Sequence, residues 1–150
     1  MKKLLFIAFA ILISSCSKSD ENDGISNIFA DTTWELVKEQ GYEISGEYKE
    51  EWDAKSDDFD AVYVFGKDNT GTYTAYEYIN GNMNSSISEI KWEHNVTAAA
   101  LAISFTESRD QKMYKVMSWG GAPMTLVLEI HKIQPEYNYE YYNVETYVKK

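Results

Sequence analysis

Ala61-Val62-Tyr63-Val64-Phe65-Gly66-Lys67-Asp68-Asn69-Thr70-Gly71-Thr72-Tyr73-Thr74-Ala75-Tyr76-Glu77-Tyr78 is the stretch on which the fold class turns. Its first five residues are β-branched or aromatic, the composition of a strand. Gly66 to Gly71 is a cluster of turn formers. Thr72 to Tyr78 then alternates threonine with tyrosine and alanine, so residues 61–78 read as a β-hairpin. Ile79-Asn80-Gly81-Asn82 supplies the next turn signal.

The same pattern extends outward in both directions. Toward the N-terminus, Trp34 and Leu36 alternate with Glu35 and open a strand. Toward the C-terminus, Ile90-Lys91-Trp92-Glu93 alternates apolar with charged residues, as a half-buried strand does. Leu101, Ile103 and Phe105 repeat the alternation, and Tyr114, Val116 and Met117 belong to a strand closed by Trp119-Gly120-Gly121-Ala122-Pro123. Leu126, Leu128 and Ile130 alternate with Thr125, Val127 and Glu129, and a tyrosine-rich strand or strand pair covers Tyr137 to Val148. No long 3.6-residue stripe appears. Thr97-Ala98-Ala99-Ala100-Leu101 is the best helical candidate and is too short to stand alone. Gly46 to Asp60 is acidic with interleaved aromatics, and reads as a long loop with a short strand at Tyr48 to Trp52. The expectation is an all-β fold, an antiparallel up-and-down barrel or half-barrel of about eight strands.

Residues 1–15 carry a different signal. Met1-Lys2-Lys3 is a positive start, Leu4 to Ile13 is an unbroken apolar run, and Ser14-Ser15 are small. That is the order of an export signal, and the run is shorter than the ~20 residues that span a bilayer. Cys16, the single cysteine, follows at once. Ile13-Ser14-Ser15-Cys16 resembles the bacterial lipobox, which implies a diacylglycerol on the Cys16 thiol and an acylated new amino terminus. Two or more acyl chains anchor stably, each buried methylene contributing ~0.8 kcal/mol. Residues 16–28 then read as the lipidated cysteine and a flexible acidic tether, and residues 29–150 as one β domain. Ser19-Asp20-Glu21-Asn22-Asp23 resembles the acidic export tract of Bacteroidetes surface lipoproteins, which implies an outer-membrane lipoprotein exposed at the cell surface.

Charge narrows the partners. The whole chain carries 14 basic and 24 acidic residues. Removing residues 1–15 takes away Lys2 and Lys3 and no acid, leaving 12 against 24, a balance of −12. Such a surface repels phosphate backbones, so no nucleic-acid partner is expected.

The body resembles the lipocalin-like domains of small Bacteroidetes lipoproteins across residues 29–148. Thr33-Trp34-Glu35-Leu36-Val37 matches their opening, Phe65 through Gly71-Thr72-Tyr73 their hairpin, Ile90-Lys91-Trp92 with Leu101-Ala102-Ile103 their next pair, and Val116 to Leu128 their closing pair. Lipocalins proper place a glycine two residues before the tryptophan, where this chain has Thr32. The resemblance implies a barrel with Trp34 plugging one end and an interior able to hold one small apolar ligand. Its candidate lining is Trp34, Leu36, Trp92, Leu101, Ile103, Phe105, Leu126 and Leu128, all of which also suit plain core packing.

Catalytic chemistry finds no foothold in the sequence. His94 and Glu93 are strand neighbours and point to opposite faces, and His131 reads as a solvated rim residue. No nucleophile elbow, phosphate loop or zinc helix motif occurs, so no enzyme, cofactor or metal is expected. Asp57-Asp58-Phe59-Asp60 and Asp20-Glu21-Asn22-Asp23-Gly24 are oxygen-rich but lack calcium-loop spacing. Asn95-Val96-Thr97 fits a glycosylation sequon, and Asp31-Thr32-Thr33 resembles a Bacteroidetes O-glycosylation triplet with Thr32 as acceptor. Beside the ligand-carrying barrel stands a second reading, a packed module that binds a protein or glycan through Trp119, Tyr137, Tyr139 and Tyr141.

Overall fold

The computed structural model describes residues 28–55, 60–80 and 82–150. The signal, Cys16, the acidic tether and the Asp57–Phe59 part of the acidic run lie outside the described residues. Nine strands follow in chain order: β1 (Thr32–Ser45), β2 (Tyr48–Lys55), β3 (Asp60–Phe65), β4 (Thr70–Ile79), β5 (Asn82–Asn95), β6 (Ala100–Phe105), β7 (Gln111–Gly120), β8 (Thr125–Gln134) and β9 (Tyr139–Lys149). The described residues hold a single 3-10 turn, Pro135–Tyr137, and no helix long and apolar enough to cross a membrane.

Every pairing is antiparallel, and β9 pairs back onto β1, so β1 and β3 to β9 close an eight-stranded barrel. Closure removes free sheet edges from the body of the fold. The first strand meets the last over Trp34–Ser45 and Tyr139–Lys149, which makes the fold a closed barrel and not a half-barrel. The acidic segment after Gly46 is more regular than its composition suggests. Its residues Tyr48–Lys55 form β2 along Ser45–Lys38, and β3 continues the same line along Glu35–Thr32. β2 and β3 are thus two pieces of one interrupted strand beside β1. Thr97 to Ala99 form a turn, not the start of a helix.

Strand lengths make the two ends unlike. At one end lie the turns at 66–69, 96–99 and 121–124, together with residue 28 and the C-terminus. Phe29 closes this end, packing edge-on against Phe65 at 5.2 Å and tilted against Trp92 at 6.1 Å. Trp34 is fully buried there, its Nε1 donating to Thr32 Oγ1 at 2.8 Å. At the other end β1, β2, β8 and β9 run on as a flap, and the β4–β5 hairpin projects as an arm whose residues 82–87 are exposed. Register shifts after Leu36 and after Val116 interrupt the regular pairing of β1 with β9 and of β7 with β8.

Candidate functional site

Period-two alternation fixes what faces the barrel axis. Leu36, Ala61, Tyr63, Phe65, Ile90, Trp92, Leu101, Ile103, Tyr114, Val116, Leu126, Leu128 and Tyr147 are buried and form one core with Phe29 and Trp34. Of the eight lining candidates, seven belong to this core, and Phe105 is half-buried with its ring edge-on to Tyr73 at 5.5 Å. The structure therefore brings seven of the eight together in one core, with Phe105 packed against it. The best-formed depressions are shallow and lie elsewhere. One, of about 460 Å³, is lined by Gln40, Gly41, Tyr42, Glu51, Trp52, Asp53 and Tyr142.

Toward the mouth the inward face changes character. Register places Leu36 beside Tyr147 and Leu126, then Glu39 beside Glu145 and Leu128, then Gly41 beside Trp52, Asn143 and Ile130, then Glu43 beside Glu50, Tyr141 and Lys132. The apolar layers thus pass into a polar and aromatic one. Glu145 is buried at its centre. Its Oε2 accepts from Tyr147 Oη at 2.6 Å and Tyr114 Oη at 2.9 Å, and its Oε1 from Asn143 Nδ2 at 3.1 Å. Asn143 Nδ2 also donates to Glu39 Oε1 at 2.6 Å, and Asn143 Oδ1 accepts from Trp52 Nε1 at 2.9 Å. Every polar atom of the Asn143 side chain is used, which suits a buried amide.

Gly41 makes this reach possible. A Cβ there would stand 2.1 Å from the carbonyl oxygen of Tyr142 and 2.9 Å from the Trp52 ring. The indole of Trp52 lies in the space so left, tilted against Tyr141 at 5.7 Å. Across the mouth, Lys112 Nζ lies 3.9 Å from Glu145 Oε1 and over the rings of Tyr73 and Tyr114 at 5.5 and 5.9 Å from their centroids.

The electrostatics follow from burial. Tyr63, Tyr114 and Tyr147 are pushed well above the ordinary phenol range, first by burial and then by Glu145. Burial, with Glu145 and Glu39, pushes Tyr73 and Tyr141 up to about 12. These phenols keep their protons at neutral pH, and Tyr114 and Tyr147 donate theirs to Glu145. Burial first, and Glu145 second, raises Glu39 against the opposing effects of Asn143 and Lys112.

Other sequence candidates fall outside this site. Thr32 is buried, and its hydroxyl donates to the Phe29 carbonyl while accepting from Trp34, so the O-glycosylation reading is corrected: no acceptor hydroxyl is presented. His131 lies within β8 and not at a strand end, its Nε2 2.8 Å from Glu140 Oε1 and its ring edge-on to Tyr142. His94 packs edge-on to Phe29 at 4.8 Å. Of the surface aromatics, Tyr137 and Trp119 are exposed, while Tyr139 and Tyr141 are half-buried on the inward face of the flap. Among the described residues no group of three or more His, Cys, Asp or Glu side chains is placed to hold a metal ion.

Glu39, Trp52, Lys112, Asn143 and Glu145 are the residues that sequence reading missed. The available signal lay in the phase of the last strand: Tyr141, Asn143, Glu145 and Tyr147 share a face, and Tyr147 pairs with both Leu36 and Leu126. No family profile, no curated protein and no solved structure matches this chain.

Proposed function

We propose that the chain is a lipoprotein of the cell envelope whose β domain is a non-catalytic binding barrel, with its ligand site at the mouth. The observation that carries this reading is the asymmetry of the interior. One end is filled by Phe29, Trp34, Phe65 and Trp92, and the other presents Trp52, Tyr73 and Tyr141 half-exposed around the Glu39–Asn143–Glu145 network. A small ligand with an apolar body and a polar group finds ring faces and hydrogen-bonding groups there, the mixture of most small-molecule sites. The lipocalin-like resemblance supports the same role, by fold and not by chemistry.

Anchoring fits the geometry. The chain leading from Cys16 enters the described domain at residue 28, beside the closed end. A lipid on Cys16 tethers that end to the outer membrane and leaves the mouth facing away.

A second reading is a packed interaction module that grips a protein or glycan through surface aromatics. It draws on Tyr48, Tyr78 and Tyr137, all more than 60% exposed and borne near the tips of three hairpins around the mouth.

A native mass spectrum of the intact lipoprotein, released from its own membrane in mild detergent, separates the two. The mouth reading predicts a co-purifying small mass that Trp52→Ala loses and Tyr137→Ala keeps. A bare protein, or a mass indifferent to Trp52, contradicts it.

A further inference from the structure

We propose that the mouth takes a small organic cation, its ammonium seated over the rings of Tyr73 and Tyr114 and beside the carboxylates of Glu39 and Glu145. The inference rests on the mouth reading and assigns its ligand class.

The chain's own Lys112 shows what the place accepts. Its ammonium lies over two tyrosine rings and 3.9 Å from Glu145. Ring faces attract cations, most strongly where water is thin. Among the described residues Lys112 is held by the contact with Glu145, the two ring contacts and the field of Glu39, and its side chain is 35% exposed. Its flexible stem can carry the charge out to solvent when another cation arrives. The seat is therefore full without being permanently closed.

Charge balance points the same way. Glu39 and Glu145 face one ammonium. Register adds Glu43 and Glu50 further out on the same face, with Lys132 beside them, and Glu77 on the inward face of the arm. The phenols hold their protons and offset none of this. The mouth carries surplus negative charge, within walls that are aromatic.

Calorimetric titration of the intact lipoprotein in detergent tests this with tetramethylammonium, butylammonium, the neutral neopentyl alcohol and butyrate, following the fluorescence change lost in Trp52→Ala. Both cations should bind and the neutral and anionic probes should not. Lys112→Ala should tighten tetramethylammonium roughly tenfold by freeing the rings, and the isosteric Glu39→Gln should weaken it by a similar factor. If neopentyl alcohol binds as well as tetramethylammonium, with the Trp52 response, the cation assignment falls and the mouth reading stands. If butyrate binds and Lys112→Ala abolishes it, the assignment is reversed to an anion. If cations bind with no response from Trp52, or none binds, the cation assignment is overturned, and the co-purification experiment still decides the mouth.

Discussion

Trp52 of β2 reaches across Gly41 of β1 and donates a hydrogen bond to Asn143 of β9, Nε1 to Oδ1 at 2.9 Å. Three strands are thereby tied by one side chain at the place where the barrel becomes a flap. The tie needs residue 41 to lack a side chain. Gly41→Ala should destabilise the protein by about 1–3 kcal/mol through overpacking. Denaturant melts measure the loss, and an unchanged midpoint would contradict the close approach.

Two tryptophans at the closed end respond differently to truncation. Trp34 is fully buried with its indole hydrogen-bonded, whereas Trp119 is 43% exposed near the end of β7. Trp34→Ala should cost about 3–5 kcal/mol, and Trp119→Ala under ~1 kcal/mol, as surface changes do. Equal melts for the two variants would contradict the placement of Trp34 in the plug.

Glu39 gives stability a slope with pH. Its folded value is raised above the ordinary 4.5 by burial and by Glu145, so between the two values the folded chain holds more proton than the unfolded one. The contribution is therefore complete below about 4.5 and is lost as pH rises through the raised value. Glu39→Gln should remove that fall. Melts of parent and variant across mildly acidic to neutral pH check it. Parallel curves would show that Glu39 titrates alike in both states.

Thr32 holds the plug together. Its hydroxyl joins the Phe29 carbonyl to the Trp34 indole. Thr32→Val keeps the shape and removes both bonds, and should cost about 1–3 kcal/mol for the donors and acceptors left unmade. Intact mass of the protein from its own host should show no glycan on Thr32. A glycosylated Thr32 would contradict its burial.

If the lipoprotein reading holds, Cys16→Ala should move the protein from the membrane fraction to the soluble one, because two or more acyl chains would then make the anchor. A variant as membrane-bound as the parent contradicts the lipoprotein reading.

How much of this was legible depended on phase. β8 declares itself, because Leu126, Leu128 and Ile130 face in and are buried. β1 does so through Trp34 and Leu36. β9 inverts the rule: Val144 and Val148 face outward, while Asn143 and Glu145 are buried. A polarity pattern read alone turns that strand the wrong way round. Only long-range partners, Tyr114, Trp52 and Glu39, make its inward polar atoms affordable, and those partners lie 31 to 104 residues away in the chain. β2 was legible only in part: its start at Tyr48 is expected, and its continuation to Lys55 and its pairing with β1 are not. Its residues are mostly exposed and charged, so its strand character comes from pairing with β1 and not from an apolar face.

The four tryptophans mark different places, Trp34 and Trp92 buried at the closed end, Trp119 exposed at that same end and Trp52 at the mouth. Indole-¹⁵N spectra of the protein as isolated, and again after unfolding and refolding to strip any bound molecule, test the mouth reading most directly. The account predicts that the Trp52 signal moves while those of Trp34, Trp92 and Trp119 stay. Movement of Trp34 and Trp92 with Trp52 unchanged would place the ligand inside the closed end and contradict it.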